Sequence, residues 1–132
     1  MKKLNKILLV DDDPTSIYIN ENILKRMEIK HEVTVLTNGK LAFDYLITNC
    51  SSNSNNCPAF VILDHHMSVM DGMELMEALN KIDLLRNNNV VFLLLAINTT
   101  PQQIEIFKDL GVQEFTSKPL SKQTKQFAKP GV

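Results

Sequence analysis

Charged residues follow three apolar, strand-like runs of the chain, at the point where each run stops. The runs 7–10, 60–63 and 112–117 are followed by Asp11 and Asp12, by Asp64 and by Lys118, respectively. If these runs are neighbouring parallel strands, their carboxyl ends share the edge of the sheet where open α/β folds bind ligands. Carboxylates packed that closely repel one another, so we predict a site for a hard divalent cation, with Mg²⁺ as the natural candidate. The lysine is placed to contact a phosphoryl group.

The bulk composition fits one globular domain over residues 1–132, with 44% hydrophobic and 22% charged residues. The formal net charge is −1, so no overall positive field exists to hold nucleic acid or an anionic membrane surface. Apolar stretches as long as a membrane span are absent from the sequence, and the N-terminal run is too short for a signal peptide. We therefore predict a cytoplasmic protein, in which Cys50 and Cys57 would be free thiols.

Strand-length apolar runs alternate with segments of helical periodicity along the chain. This alternation is typical of βα units and predicts a doubly wound α/β fold, with a parallel sheet and helices on both faces. The predicted strands cover about 6–10, 32–37, 59–63, 90–95 and 112–117, and the predicted helices cover about 14–28, 41–48, 72–85 and 101–110, with a short one from Ser121. The core is expected over about 6–122, with 123–132 as a short or frayed tail.

Local signals add detail to the first two helices. Asp13 is predicted to cap the first helix and Pro14 to occupy its first position. The predicted buried side chains are Ile17, Ile19, Ile23, Leu24 and Met27 in the first helix, and Leu41, Ala42, Tyr45 and Leu46 in the second. The polar segment 49–57 is predicted to be a flexible connection.

Four sequence elements together resemble the receiver domain of two-component response regulators, over about residues 6–122. They are the acidic pair Asp11-Asp12, the aspartate Asp64, the turn Met70-Asp71-Gly72 and the final Lys118-Pro119. The resemblance implies a five-stranded parallel sheet in the order 2-1-3-4-5. It also implies a phosphoprotein that takes a phosphoryl group from a histidine kinase or a histidine phosphotransfer protein, in a phosphorelay or by direct signalling.

The resemblance implies a role for each matched acidic residue. Asp64 would be the phosphoacceptor, since a carboxylate is a competent nucleophile that forms an acyl phosphate. Asp12 and Asp64 would hold Mg²⁺, Asp11 would act largely through bound water, and the backbone carbonyl of His66 would be a further ligand.

The resemblance also covers the end of the fifth strand. Lys118 would contact the phosphoryl oxygens, and a cis peptide bond before Pro119 would aim it, although sequence alone cannot show the isomer.

Several residues depart from the family pattern. Ala96 stands where the family has the Ser or Thr whose hydroxyl bonds the new phosphoryl oxygen, and Phe115 stands at the aromatic position that moves with it. A hydroxyl or amide from the segment 98–100 would have to replace the missing group. Ser68 occupies a position where the family commonly has Pro.

The pair His65-His66 after Asp64 has two interpretations. The imidazoles could alter metal binding or acyl-phosphate hydrolysis near neutral pH, or they could be exposed loop residues. A zinc site built from these histidines with Cys50 and Cys57 lacks the usual paired spacing.

The sequence supports three functional hypotheses. The first is a stand-alone receiver that acts as a switch, not as a turnover enzyme, and signals through contact with a downstream protein as a monomer or weak dimer. The second is a receiver-like docking protein whose switch is impaired because Ala96 lacks the hydroxyl. The third is a phosphatase of the haloacid-dehalogenase type, suggested by the run from Asp11 to Thr15, which leaves Asp64 and Lys118 without roles.

Overall fold

The computed structural model describes residues 5–27, 31–50, 56–83 and 89–116 of the chain. Strands and helices alternate through them as β1 Asn5–Val10, α1 Pro14–Lys25, β2 His31–Leu36, α2 Gly39–Cys50, β3 Phe60–Asp64, α3 Gly72–Lys81, β4 Val91–Leu95, α4 Pro101–Asp109 and β5 Glu114–Thr116. All strand pairs are parallel, in the order β2-β1-β3-β4-β5. The predicted α/β fold is therefore confirmed. The short helix predicted from Ser121 and the tail 123–132 lie outside the described residues.

The sheet separates two apolar clusters, one on each face. The larger cluster joins alternate strand residues, such as Leu8 and Val61, to buried residues of α2, α3 and α4. The smaller cluster joins the other strand residues, such as Leu9 and Ile62, to Leu24 of α1. Because β3 is covered on both faces, all five of its residues are buried. This explains why its sequence is apolar at nearly every position.

The predicted apolar face of the first helix is confirmed in part, since Leu24 and Met27 are buried and Ile17 and Ile23 pack against the smaller cluster. Within α1 the buried residues are Ser16, Asn20 and Leu24, whereas Ile19 is 38% exposed. The polar side chains tolerate burial because they are hydrogen-bonded to each other and to Asp11 at the end of β1. Apolar periodicity therefore wrongly included Ile19 and did not predict the burial of Ser16 and Asn20. The predicted helix cap is present, since the Asp13 side chain accepts from the backbone N–H of the second helical residue.

Helix α2 is longer than predicted at both ends. It begins at Gly39, whose N–H donates to the backbone carbonyl of Met70 at 3.0 Å. A Cβ atom at this glycine would clash with the same carbonyl group, so the close approach of the two loops requires glycine. Leu41, predicted to be buried, is 45% exposed, and the residues that face the core include Ala42 and Leu46.

Cys50 and Cys57 form a disulfide, so the prediction of free thiols is wrong. Cys50 is the last residue of α2, and Cys57 lies three residues before β3. Their Cα atoms are 4.7 Å apart, within the range that a disulfide spans. The connection predicted to be flexible is therefore closed at its base by a covalent bond. The structure does not describe residues 51–55 between the two cysteines.

Reduction of this disulfide is expected to lower the free energy of unfolding. Closing a loop with a sequence separation of 7 removes entropy from the unfolded chain, which corresponds to about 2–3 kcal/mol in the chain-entropy model. Urea unfolding of the oxidised protein, with and without a thiol reductant, measures the change. The variant Cys50→Ser/Cys57→Ser is the control, because its midpoint should not respond to the reductant. Two reactive thiols in the purified, unreduced native protein would contradict the disulfide.

Candidate functional site

Three carboxylates converge at the carboxyl edge of the sheet. Asp11 and Asp12 follow β1, and Asp64 is the last residue of the neighbouring strand β3. The two strands are in register there, with Val10 paired to Leu63. One carboxylate oxygen from each aspartate lies within 4.8 Å of the other two. Asp11 and Asp64 are buried and Asp12 is exposed, so the cluster opens to solvent on one side.

The carboxylate of Asp11 is fixed by hydrogen bonds from α1 and its cap. Oδ1 accepts from the backbone N–H of Asp13 at 3.0 Å, and Oδ2 accepts from the hydroxyl of Ser16 at 2.7 Å. The amide of Asn20 in turn donates to the Ser16 hydroxyl at 3.4 Å. Ser16 and Asn20 were not among the predicted site residues. The sequence signal that could have found them is the spacing of two polar residues four apart, which places both on one side of the helix after the acidic pair.

The second aspartate, Asp12, contacts the loop after β3. The backbone N–H of Ser68 donates to its Oδ2 at 3.1 Å. Proline, which is common at this position in the family that the sequence resembles, has no N–H. The hydrogen bond is therefore available to this chain because it has serine there.

The loop from Asp64 to α3 folds back on the end of β3. The N–H of Gly72 donates to the carbonyl of His65 at 2.8 Å. A Cβ atom on Gly72 would lie 2.7 Å from the carbonyl oxygen of Asp64, so only glycine allows this approach. A capping box fixes the start of α3. The side chain of Asp71 accepts from the N–H of Glu74 at 2.8 Å, and the side chain of Glu74 accepts from the N–H of Asp71 at 2.9 Å.

The same loop contains a strained residue. Val69 has a φ of 69°, in the left-handed region, which costs an L-residue roughly 1–2 kcal/mol. The neighbouring hydrogen bonds from Ser68 to Asp12 and from Gly39 to Met70 hold the chain on both sides. These two hydrogen bonds connect the loop after β3 to the loops after β1 and β2. They therefore hold Val69 in its strained conformation.

His65 is buried, contrary to the interpretation of both histidines as exposed loop residues. Its side chain is 3% exposed, and its Nδ1 lies 2.8 Å from the hydroxyl of Thr99. The ring stacks on His66, which is exposed, with 4.1 Å between centroids, and meets the ring of Phe107 edge-on at 5.0 Å. Burial lowers the pKa of His65, the neighbouring His66 lowers that pKa further, and Asp71 raises it.

The predicted switch positions lie directly after β4, at Ala96, and within β5, at Phe115. Ala96 follows β4 and donates its N–H to the carbonyl of Thr116 at 2.7 Å. Ala96 and Phe115 are both partly buried against the larger apolar cluster. Of the residues that could supply the missing hydroxyl, Thr100 caps α4, whereas Thr99 contacts His65. The remaining predicted site residues, Lys118 and Pro119, lie outside the described residues.

The donor set fits a hard divalent cation. Among the residues in the described ranges, a metal ion could be held by three or more acidic, histidine or cysteine side chains at one place, the cluster of Asp11, Asp12 and Asp64. Carboxylate oxygens are the ligands that Mg²⁺ and Ca²⁺ prefer. The disulfide occupies both sulfur atoms that the zinc interpretation required. The backbone carbonyl of His66 stays a predicted ligand.

Comparison with solved structures finds the same architecture in other signalling proteins. The bacteriophytochrome response regulator AtBRR is 31% identical with a TM-score of 0.71, over 96% of this chain and 89% of that one. The phosphorylated cyanobacterial phytochrome response regulator RcpA is 26% identical with a TM-score of 0.72, over 96% and 89%. The receiver domain of the histidine kinase CKI1 from Arabidopsis thaliana, complexed with Mg²⁺, shares the fold at 19% identity and a TM-score of 0.79, over 94% and 91%.

Sequence comparison gives a family but no individual counterpart. No curated protein matches the chain. The family model of the response regulator receiver domain matches residues 7–126, which include every element described above except the first two residues of β1. Its span also covers the acidic cluster at the carboxyl edge. The chain belongs to the response regulator receiver domain family.

Proposed function

We propose that this chain accepts a phosphoryl group on Asp64 from a phosphohistidine of a partner kinase or phosphotransfer protein, in a step that requires Mg²⁺. The observation that carries the proposal is the convergence of three carboxylates within 4.8 Å at the ends of β1 and β3, in a chain of the receiver family. Two relatives support it, since one is phosphorylated and the other is complexed with Mg²⁺.

Asp64 is the nucleophile of the proposed transfer. One of its carboxylate oxygens forms a bond to phosphorus while the bond from phosphorus to the imidazole nitrogen of the donor histidine breaks. The donor imidazole leaves with the electron pair, and the product is an acyl phosphate on Asp64. Only 5% of Asp64 is exposed, so bulk water has little access to the acceptor before transfer.

The acidic residues around the acceptor would hold the metal. Asp11, Asp12 and Asp64 supply oxygen ligands, directly or through water, and the carbonyl of His66 is the predicted further ligand. Bound Mg²⁺ would neutralise negative charge on the transferring phosphoryl oxygens. The hydrogen bonds to Asp11 hold its carboxylate in place for this task. Lys118 is proposed to contact the phosphoryl oxygens.

The proposed output is contact with another protein, so the chain is a phosphoacceptor and not a turnover enzyme. Any self-dephosphorylation would be slow relative to signalling. The family assignment replaces the haloacid-dehalogenase interpretation, and Asp13, which belonged to that motif, caps α1. A monomer or weak dimer stays the expected state.

A fixed-state docking protein is the second candidate, and Ala96 is the observation that favours it. Without a hydroxyl at this position, the phosphoryl group lacks the family's contact with the loop after β4. In this candidate the chain would take up phosphate without changing its docking surface, since a ligand shifts an equilibrium only through differential contacts with the two states.

The cellular location stays a prediction. No helix among the residues in the described ranges is long and apolar enough to cross a membrane. We propose the cytoplasm, where the partner kinases of such a receiver would present their phosphohistidine. The disulfide between Cys50 and Cys57 bears on this proposal, because reducing compartments such as the cytoplasm disfavour disulfides. Thiol labelling in cells would show whether the two cysteines are bonded there.

Asp64→Asn is expected to abolish phosphoryl uptake and to leave the fold intact, because the amide is isosteric but not nucleophilic. Intact-mass analysis after incubation with Mg²⁺ and acetyl phosphate, or with a phosphorylated histidine phosphotransfer domain, measures uptake. Asp13→Asn is the matched control, since asparagine also caps helices and the variant should be phosphorylated like the wild type. A phosphoryl group retained by Asp64→Asn would show that another residue is the acceptor.

Ser16→Ala is expected to weaken Mg²⁺ binding about tenfold, the lower end of the effect of losing an outer-shell partner. The variant removes the hydroxyl that donates to Asp11 and leaves every carboxylate in place. Isothermal titration with Mg²⁺ measures the dissociation constant. Ser68→Ala is the matched control, because Ser68 contacts Asp12 through its backbone N–H, which alanine keeps. Equal Mg²⁺ affinities in Ser16→Ala, Ser68→Ala and wild type would reduce Ser16 to a structural role.

A further inference from the structure

The loops after β3 and β4 are joined by polar contacts even though Ala96 has no hydroxyl. Both contacts start from the histidine pair that directly follows the acceptor Asp64. Nδ1 of His65 lies 2.8 Å from the hydroxyl oxygen of Thr99, and Nε2 of His66 lies 3.3 Å from the carbonyl oxygen of Asn98. The region next to the acceptor is therefore connected to the start of α4 by a route that does not involve Ala96.

The direction of the first hydrogen bond depends on the tautomer of His65. Thr99 donates its hydroxyl proton to the carbonyl of Ile97 at 3.2 Å. A threonine hydroxyl has one proton to donate and two lone pairs that accept. In the tautomer of His65 that carries its proton on Nδ1, that N–H therefore donates and Thr99 Oγ1 accepts. The hydroxyl thus links the His65 ring to the backbone of its own loop.

The His65 ring is enclosed, so it cannot shift alone. It is 3% exposed, and the Phe107 ring that it meets edge-on is fully buried on α4. On its other side it stacks against His66. Close-packed interiors transmit displacements because they contain few voids to absorb them. A movement of the backbone at residue 65 would therefore displace both the loop after β4 and helix α4.

The loop that receives these contacts has an unusual backbone. Asn98 has a φ of 51°, in the left-handed region that asparagine tolerates better than most residues. Its carbonyl contacts His66, and the following residue, Thr99, contacts His65. The next residue, Thr100, starts α4 through a capping box with Gln103. The two residues that the histidines contact therefore directly precede Thr100, the cap of α4.

We infer that the hydrogen bond between His65 and Thr99 couples the state of Asp64 to the loop after β4 and to α4, in place of the missing hydroxyl at Ala96. This inference rests on the proposed function, since it concerns the response of the protein to phosphoryl uptake. His65 and Thr99 are positioning residues, because they act through the loop and the helix and need not touch the phosphoryl group. An added charge and volume at Asp64 displaces the next residue, and the buried ring carries that displacement to Thr99 and Phe107.

Thr99→Val tests the coupling, because valine keeps the shape and removes the hydroxyl. Amide spectra are recorded with and without Mg²⁺ and beryllofluoride, which mimics the phosphoryl group. In wild type, amides of 65–72 and of α4 should both shift. In Thr99→Val, amides of 65–72 should shift as in wild type, whereas the α4 shifts should fall below half. Thr99→Ser should restore them, and Thr48→Val, an exposed position on α2, is the matched control.

The possible results separate the inference from the proposed function. Wild-type shifts on α4 in Thr99→Val would overturn the coupling while leaving the acceptor assignment intact. Shifts confined to 65–72 in wild type would also overturn it and would favour the fixed-state docking protein. The absence of any shift in wild type, together with no phosphoryl mass gain from acetyl phosphate or a phosphorylated phosphotransfer domain, would remove the proposed function and with it this inference.

His65→Phe provides a second variant that keeps an aromatic ring against Phe107 and removes Nδ1. If His65 and Thr99 act through one hydrogen bond, the double variant His65→Phe/Thr99→Val should lose no more of the α4 shift than Thr99→Val alone. Such non-additivity is the signature of two residues that share one interaction. Additive losses in the double variant would show that the two residues act separately, against the inference.

Discussion

The repulsion between three carboxylates at one edge of the sheet is the constraint on which the rest of the site depends. Parallel β1 and β3 are neighbours in register, so Asp11, Asp12 and Asp64 meet wherever the strands end. Like charges this close must be offset by donors or by a cation. The surrounding loops provide donors to the first two aspartates, from the Asp13 N–H, the Ser16 hydroxyl and the Ser68 N–H. A cation would add the positive charge that these neutral donors lack.

The apolar sheet makes this concentration of charge possible. Its central strands are buried on both faces, and the two clusters that cover them hold the strand ends at fixed positions. Burial of apolar side chains is the main favourable term in folding, and it outweighs the cost of bringing acidic residues together at one edge. The core thus sets the positions of the carboxylates, and the loops adjust the hydrogen bonds around them.

The sequence was sufficient to predict the strands and the acidic cluster, for a physical reason. Central parallel strands are apolar on both faces, so β1, β3 and β4 stand out as continuous runs. The topology then places the residues after those runs at one edge, and Asp11, Asp12 and Asp64 lie together as expected. What each of them does there stays a prediction, as do the roles of Lys118 and Pro119.

The features that the sequence could not supply depend on contacts between distant segments. Ser16 was not predicted as a site residue because its burial depends on the hydrogen bond to the Asp11 carboxylate at the end of β1. His65 looked like a loop residue because its partners, Thr99 and Phe107, lie more than thirty positions away in the chain. The disulfide was missed because it depends on α2 extending to Cys50 and on the position of Cys57 before β3. In each case the three-dimensional environment of the side chain, not its residue type, decides whether it is buried or bonded.

The three aspartates of the cluster differ in their surroundings. Asp11 accepts from a side-chain hydroxyl, Asp12 accepts from a backbone N–H, and Asp64 is followed by a buried imidazole that contacts the next loop. A carboxylate has a limited number of lone pairs, so a cation or a phosphoryl group that binds there must share them with the existing donors. A change of charge at the cluster would therefore act on the hydrogen bonds to Asp11 and Asp12. A two-state response needs only such differential contacts, so under the proposed function the chain would not need a hydroxyl at Ala96 to respond to phosphoryl uptake.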